Sequence, residues 1–294
     1  MPRPSAVLMG RDEFAALIAR HRASSPDAAG RMPAPAAVRD AAALIREGIV
    51  VSAAEGPAEP RLPTTGEAAP RTPQPYALAH WWEEADDWAA ANHRLELDIH
   101  GVASMTHLDT LDHFRWGGHS LPGGDLDVLR GGLFSRGVLI DVPGALGVDI
   151  PAGHVITLDD VNAALNRQQT EVRRGDALYL RLGRTGARCS HGDLGADPMP
   201  GLSFECHEWL AAAAPSVIVT DAGLDPHPSE VDGIPVPWHI LVLAGLGIPL
   251  VDVAALGALS ATCAELRRYE FASSIAPLPI PEVSGSPVNP LALF

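Results

Sequence analysis

Lysine is absent from this chain of 294 residues, and all 21 basic residues are arginine. The absence excludes Schiff-base catalysis, a lysine-anchored pyridoxal phosphate and a phosphate loop of the Walker type. Cysteine is scarce as well, since only Cys189, Cys206 and Cys263 occur and they form no Cys-x-x-Cys pair. Their odd number and wide spacing favour reduced, partly buried thiols over a disulfide framework or a cysteine zinc site.

Dense positive charge and long apolar runs are also missing. The formal net charge is −15 and no basic cluster occurs, so we expect no nucleic-acid partner and no membrane partner. The longest apolar run, residues 240–251, contains Pro249 and is too short to span a bilayer. The N-terminal residues lack the apolar length of a secretory signal, and a cytoplasmic protein is therefore expected.

Several common catalytic motifs do not occur. There is no G-x-S-x-G, and no G-x-G-x-x-G follows a predicted strand, which argues against a nucleophile-elbow hydrolase and a dinucleotide cofactor. His207 and Glu208 are followed by Trp-Leu-Ala, so they do not form the zinc motif H-E-x-x-H. The remaining chemical signals are clusters of histidine and carboxylate.

The order of predicted elements indicates an α/β or mixed α+β fold. Helices are predicted at residues 11–22, 36–47, 158–173 and 203–213, and strands at 49–51, 95–99, 137–142, 176–182 and 217–221. Residues 55–75, rich in Pro, Gly, Glu and Thr, are predicted to be a long surface loop. We predict one compact domain over residues 36–294, preceded by an N-terminal helical extension over residues 1–35.

Half of the six tryptophans, Trp81, Trp82 and Trp88, lie within nine residues. This stretch is interpreted either as a lid or subunit contact, or as an amphipathic helix that buries its aromatic side chains.

The segment 105–114 carries His107, Asp109 and His113. In an extended strand His107 and Asp109 project to the same face, and in a helical turn beginning at Asp109 His113 returns to that face. Nitrogen and oxygen donors that converge in this way suit Zn²⁺ or Mn²⁺, which can activate a water. The alternative is a histidine-rich turn with satisfied hydrogen bonds, and spacing alone does not decide between the two.

A second pair of candidate residues lies near the C-terminus. His239 opens an apolar helix that is predicted to end at Gly247, and Asp252 follows in a predicted strand. A helix followed by a strand could return both side chains to one site. The alternative, a histidine at a helix N-terminus and an aspartate helix cap, is favoured by the spacing alone.

Taken together, these segments resemble the cyclase superfamily of metal-dependent hydrolases, which includes bacterial kynurenine formamidase and isatin hydrolase. Thr106-His107-Leu108-Asp109 and His113 match the second half of its signature, a histidine followed by Thr-His-x-Asp and a further histidine. The resemblance covers roughly residues 38–294 and continues in order through several segments. These are residues 135–142, 174–178, 201–210, Asp221, the His239 region, Phe271 and residues 285–290.

The resemblance implies a compact α/β fold with a β-rich core, the swivelling β/β/α fold of this family, assembled as a homodimer or homotetramer. It implies that His107 and Asp109 bind metal, that His113 is the general acid/base, and that His239 matches a distal histidine that binds a second metal in dinuclear members. The implied reaction is the addition of metal-activated water to an amide or lactam carbonyl of a small molecule.

Two departures from the family pattern change the expected site. Ala103 stands where the family has its first histidine ligand. His100 could supply the missing nitrogen if the backbone bulges beside Gly101, although the seven-residue spacing places it opposite His107 on a regular strand. The distal glutamate is not matched, and Asp252 is the nearest acid. We therefore predict one divalent metal, Zn or Mn, rather than two.

The leading hypothesis is a metal-dependent hydrolase that opens a C–N or C–O bond of a small amide, lactam or lactone. In it His113 transfers the proton and His239 polarises the carbonyl or stabilises the oxyanion. One alternative is a metal-independent cyclase or dehydratase that uses the same histidines on a biosynthetic intermediate. The other is a non-catalytic small-molecule binding protein.

Overall fold

The computed structural model describes residues 7–24, 32–56, 76–97, 99–100, 105–122, 124–151, 153–183 and 199–294. Its helices are α1 (Arg11–Ser24), α2 (Pro35–Ala42), α3 (Val142–Leu146), α4 (Leu158–Gln168), α5 (His207–Ala213), α6 (Pro237–His239) and α7 (Gly257–Leu266). Its strands are β1 (Val50–Ser52), β2 (Tyr76–Ala85), β3 (Trp88–Leu97), β4 (His107–Asp109), β5 (Leu133–Asp141), β6 (Val155–Ile156), β7 (Ala177–Arg181), β8 (Gly201–Leu202), β9 (Val217–Thr220), β10 (Leu250–Asp252), β11 (Glu270–Ile275), β12 (Gly285–Pro287) and β13 (Leu291–Leu293). Single turns of 3₁₀ helix at Leu126–Leu129 and Phe204–Cys206 and a π-helix at Ile240–Leu246 also occur.

Nine of these strands form one sheet in the order β1-β13-β11-β5-β7-β9-β10-β4-β12. The central strands β5, β7, β9 and β10 are parallel, and antiparallel strands extend the sheet on both sides. Alternate residues of β7 belong to different buried clusters: Leu178 and Leu180 pack on one side, whereas Ala177 and Tyr179 pack on the other. Because strand side chains alternate, the sheet separates two apolar cores.

Local sequence accounts for several element boundaries. Thr157 and Asp160 form a reciprocal capping box that begins α4, as expected for a threonine with an acid three residues later. The π-helix ends at Gly247, whose φ of 70° lies in the left-handed region that glycine adopts without a steric penalty. These boundaries confirm the predicted helix start after Thr157 and the predicted helix end at Gly247, whereas α4 ends at Gln168, five residues before the predicted end at 173.

The predicted strands at 137–142, 176–182 and 217–221 correspond to β5, β7 and β9. The N-terminal helix α1 buries Phe14 and Ile18 completely and packs against the π-helix. Most of the loop predicted at 55–75 lies outside the described residues, as does Cys189. Cys206 and Cys263 are buried, free thiols.

The tryptophan-rich stretch is not a helix, and that alternative was wrong. Residues Tyr76–Ala85 and Trp88–Leu97 pair with each other as an antiparallel two-stranded ribbon. Trp81, Trp82 and Trp88 remain 48%, 55% and 56% exposed. The ribbon therefore does not bury its aromatic side chains within the described chain.

None of the helices in the described ranges is both long and apolar enough to cross a membrane.

Candidate metal centre

Strand β4 places two of the predicted ligands side by side. His107 and Asp109 begin and end this strand, so both project to the same face of the sheet. In the neighbouring antiparallel strand, Asp252 lies directly opposite His107, and opposite residues of such a pair share a face. The sheet therefore brings His107, Asp109 and Asp252 together, which the sequence spacing alone did not decide.

His100, His107 and Asp109 form the first group of donor atoms, with one ligand atom of each within 4.8 Å of the others. Oδ1 of Asp109 lies 3.1 Å from Nδ1 of His100 and 3.4 Å from Nε2 of His107. Nδ1 of His107 lies 2.9 Å from the carbonyl oxygen of Met105. A neutral ring that donates there directs the lone pair of Nε2 toward Asp109.

The first group fits a divalent cation. Nδ1 of His100 and Oδ1 of Asp109 are buried, and neither makes a hydrogen bond in the described structure. Buried polar atoms that lack a well-oriented hydrogen bond are costly in a folded protein. A cation between imidazole nitrogen and carboxylate oxygen satisfies both atoms, and this donor set is one that Zn²⁺ and Mn²⁺ accept.

His100 reaches the site by a turn rather than along a strand. Strand β3 ends at Leu97, and residues 99–100 turn, so the expectation that His100 and His107 face opposite ways does not apply. Gly285 lies opposite Asp109 in β12, and a Cβ atom there would come 2.4 Å from Cε1 of His100. The glycine therefore leaves the space that the imidazole fills. Ala103 lies outside the described residues.

His113 lies beside this group without belonging to it. No helix directly follows Asp109. Instead, the chain forms a turn in which the amide of His113 donates to the carbonyl of Thr110 over 3.1 Å. This turn brings the side chain of His113 back toward Asp109. Its Nε2 is 3.8 Å from Oδ2 of Asp109, and its ring stacks on that of His100 at 3.8 Å. Burial lowers the pKa of His113 to about 4, although the negative charge of Asp109 acts to raise it. The imidazole is therefore unprotonated at neutral pH.

Asp109, His239 and Asp252 form a second group of three donors within 4.8 Å of one another. Nε2 of His239 lies 2.8 Å from Oδ2 of Asp252, while Oδ1 of Asp252 is buried without a hydrogen bond in the described structure. Asp252 is a strand residue, not a helix cap. Asp109 thus takes part in two donor groups, although the sequence predicted a single metal.

Asp225 completes the surroundings of His239, and sequence reasoning missed it. It accepts hydrogen bonds from the backbone amides of Trp238 and His239 at 2.7 and 3.2 Å, and from Nδ1 of His239 at 2.5 Å. These bonds hold the imidazole with Nε2 directed at Asp252. The only signal was an acid five residues after the end of β9 at Thr220, and this position did not distinguish Asp225 from other acids.

The two donor groups differ in how their surroundings shift the pKa values of their side chains. Burial raises the pKa of Asp109, but the adjacent imidazoles of His100, His107 and His113 outweigh it and hold this pKa well below its usual range. Burial opposes protonation of His239, yet Asp252 and Asp225 raise its pKa well above the ordinary imidazole value. The imidazolium proton of His239 therefore offsets part of the negative charge of the second group, and a cation there must displace this proton.

Phe114 forms the aromatic boundary of the site. Its ring lies 4.8 Å from that of His113 and 5.4 Å from that of His239, measured between ring centroids. The tryptophans Trp81, Trp82 and Trp88 lie on the ribbon, and Trp116 packs edge-on against Phe14. Among the aromatic residues described, Phe114 is the one in contact with both candidate catalytic histidines.

We expect Asp225→Ala to lower the free energy of unfolding of the metal-free protein by about 3–5 kcal/mol. The substitution leaves two backbone amides and the Nδ1 of a buried, charged imidazole without their acceptor. Urea denaturation monitored by circular dichroism measures the change. Asp232→Ala is the matched control, because Asp232 is exposed and should cost less than about 0.5 kcal/mol. Equal stability of the two variants would contradict the assignment.

Comparison with known proteins shows which family and which solved structures this architecture resembles. The family model described as "Putative cyclase" matches residues 70–225. The crystal structure of a novel cyclase superposes with a TM-score of 0.73 at 24% identity, covering 91% of this chain and 95% of that one. Isatin hydrolase A from Ralstonia solanacearum gives a TM-score of 0.59 at 20% identity, covering 89% and 97% of the two chains.

An isatin hydrolase bound to the product analogue thioisatinate also superposes, with a TM-score of 0.59 at 20% identity over 90% of this chain and 99% of that chain. A search of curated protein sequences finds no match. At these identities the structural likeness concerns the fold, and it confirms the predicted mixed α/β architecture with a β-rich core.

Proposed function

The chain belongs to the cyclase family, and we propose that it is a metal-dependent hydrolase. The proposed reaction opens a C–N or C–O bond of a small amide, lactam or lactone. The observation that carries the proposal is the first donor group, in which buried atoms of His100 and Asp109 face each other at 3.1 Å without a hydrogen bond. Beside it stands His113, an unprotonated imidazole that is not needed as a donor.

One cation, Zn²⁺ or Mn²⁺, would be held by His100, His107 and Asp109. Such an ion supplies Lewis acidity and makes water a better nucleophile at neutral pH. The second group, Asp109 with His239 and Asp252, takes a cation only after His239 has released its proton, so we expect it to bind more weakly. This order is consistent with one metal per chain under ordinary conditions.

His113 is proposed as the general base and then the general acid. It is unprotonated at neutral pH because burial lowers its pKa, and a base must be unprotonated before it can accept a proton. Nδ1 of its ring lies 3.4 Å from the hydroxyl of Ser284, which orients the ring and leaves Nε2 on the side of Asp109. A proton taken from water at Nε2 can then be delivered to the leaving nitrogen or oxygen.

His239 is proposed to stabilise negative charge on the substrate carbonyl oxygen. Its raised pKa keeps the imidazole protonated, and a fixed positive charge in a buried site favours a developing oxyanion. Asp225 holds the ring in place from the opposite side. With Nε2 bonded to Asp252, His239 acts here through its charge rather than through a free hydrogen bond.

Two observations support a small, at least partly apolar substrate. Phe114 lies against both His113 and His239, and an aromatic wall of this kind suits a flat ring. Two of the similar structures are isatin hydrolases, which supports hydrolysis as the reaction type.

The test combines metal content with turnover. Protein purified without chelators is analysed for Zn and Mn, and a panel of formamides, lactams and lactones is screened before and after exhaustive chelation. We expect about one ion per wild-type chain, hydrolysis of at least one substrate, and loss of activity that added metal restores. His107→Ala should lose this ion, because the variant retains only two donors of the first group.

Full activity after chelation would instead support a metal-independent cyclase or dehydratase. Ligand binding without turnover over the whole panel would support a non-catalytic binding protein. Either result would refute the hydrolase mechanism.

A further inference from the structure

Arg22, in the last turn of α1, donates hydrogen bonds to three backbone carbonyl groups in two distant segments. Its Nε donates to the carbonyl of Ala244 over 2.7 Å, and one terminal nitrogen donates to the carbonyl of Trp116 over 3.1 Å. The other terminal nitrogen donates to the carbonyl of His119. Arginine suits this arrangement because its guanidinium carries five donors in one rigid plane.

The first segment is a tight turn closed by Trp116 and His119. The backbone amide of each of these residues donates to the carbonyl of the other, over 3.0 and 3.2 Å. The two central residues, Gly117 and Gly118, both have positive φ, as in a two-residue hairpin turn. Arg22 therefore holds both carbonyl groups at the base of this turn.

The second segment is the π-helix at Ile240–Leu246, which continues directly from the end of α6 at His239. The last carbonyl groups of a helix have no partner within the helix, and a cation near that end is favourable. Helix α1 can come this close because residue 245 is a glycine: a Cβ atom at Gly245 would lie 3.2 Å from Cδ1 of Ile18. Arg22 thus holds the end of the helix that follows His239.

We propose that Arg22 is a positioning residue for the hydrolysis proposed above, on which this inference rests. The turn that Arg22 holds comes directly after His113 and Phe114, and the π-helix comes directly after His239. One side chain therefore connects the segment of the proposed general base with the segment of the proposed oxyanion-stabilising imidazolium. Phe114 lies between them, in contact with both rings.

Two further side chains of α1 hold the same turn through the ring of Trp116. Phe14 packs edge-to-face on this ring with a centroid distance of 5.2 Å, and the guanidinium carbon of Arg11 lies 5.6 Å from the ring centroid. All of these contacts come from residues that precede the region matched by the family model, residues 70–225. The N-terminal helix thus reaches the candidate site through this turn.

The test begins with the kinetics of Arg22→Gln, on the panel compound that the wild type hydrolyses fastest. We expect kcat to fall about 10–100-fold, because a displacement of about 1 Å between reacting groups can cost about 100-fold in rate. KM should change less than about threefold, since the lost alignment matters mainly in the transition state. Metal content should stay at the wild-type value, because Arg22 is not a member of either donor group.

Arg20→Gln is the matched control. Arg20 lies two residues earlier on α1 and forms an exposed ion pair with Glu208 of α5. This variant should keep the wild-type kcat. Arg22→Lys should fall between Arg22→Gln and the wild type, because a single ammonium nitrogen keeps the charge but cannot span three carbonyl groups.

Chemical rescue separates a positioning role from a general contribution to stability. Guanidinium chloride at about 20 mM, far below the molar concentrations that unfold proteins, should raise the kcat of Arg22→Ala at least about fivefold and leave the wild type unchanged. Wild-type kcat in Arg22→Gln, or no rescue of Arg22→Ala, would overturn the proposal.

Hydrogen exchange measured by mass spectrometry requires no substrate. Arg22→Gln should accelerate amide exchange in residues 113–119 and 240–246 and leave the central strands of the sheet at wild-type rates. Unchanged exchange in both segments would overturn the inference even if the wild type is an active hydrolase. Uniform acceleration over the chain would also overturn it, because Arg22 would then support the fold as a whole. Failure of the proposed hydrolysis shows separately, as a wild type that turns over no compound of the panel.

Discussion

Asp109→Asn is expected to remove metal binding from both donor groups and to lower turnover at least about 1,000-fold, since Lewis-acid activation supplies several kcal/mol. Asp109 is the only residue common to the two groups of donors found in the described structure. It is also fully ionised there, because three neighbouring imidazoles hold its pKa far below the usual range against the effect of burial. Asparagine has the same shape but lacks the charge that balances a cation.

Metal content and kcat/KM, measured on the same preparations, test this expectation. Asp112→Asn is the matched control: Asp112 lies three residues later, accepts a hydrogen bond from Thr110 at 3.0 Å and belongs to neither donor group. It should bind metal and turn over substrate like the wild type. An Asp109→Asn protein that keeps its metal and most of its activity would show that the shared carboxylate is not the centre of the site.

His113→Asn is expected to lower kcat by about 10²–10⁴-fold, the usual contribution of a general acid/base, while metal content stays at the wild-type value. The two readouts differ because His113 borders the first donor group but is not part of it. Its pKa is lowered to about 4, chiefly by burial. Because the base is active only when unprotonated, the wild-type rate should decline on the acidic side. The pH of this decline should lie below about 6.5, the ordinary pKa of an imidazole.

His119→Asn provides the control for His113, because His119 is exposed and lies six residues further along the same segment. It should leave kcat, its pH profile and the metal content unchanged. If His113→Asn lost the metal instead, His113 would be a ligand and not the proton-transfer residue. If it kept full activity, the general base would have to be sought elsewhere in the site.

The first half of the candidate metal centre could be predicted from local sequence. His107 and Asp109 are two residues apart in an extended segment, and the alternation of a strand alone places them on one face. His113 follows closely enough that a single turn returns it. The strands β5, β7 and β9 were equally predictable, because buried parallel strands are short, continuous apolar runs.

Tertiary structure decided which distant residues join them. His100 enters the site because the chain turns after β3 and because Gly285, 185 residues later, leaves room for its ring. Asp252 lies opposite His107 only through the pairing of β10 with β4, and Asp225 reaches His239 only because the backbone after β9 returns to the start of α6.

The sequence by itself determined the family, the mixed α/β class and the local His-x-Asp arrangement, because these depend on residue order and on short-range periodicity. The tertiary structure decided that Asp109 serves two donor groups and that the tryptophan-rich stretch is an exposed ribbon instead of a buried helix. Strand pairing and burial bring together residues that lie far apart along the chain, and neither has a local signal in the sequence.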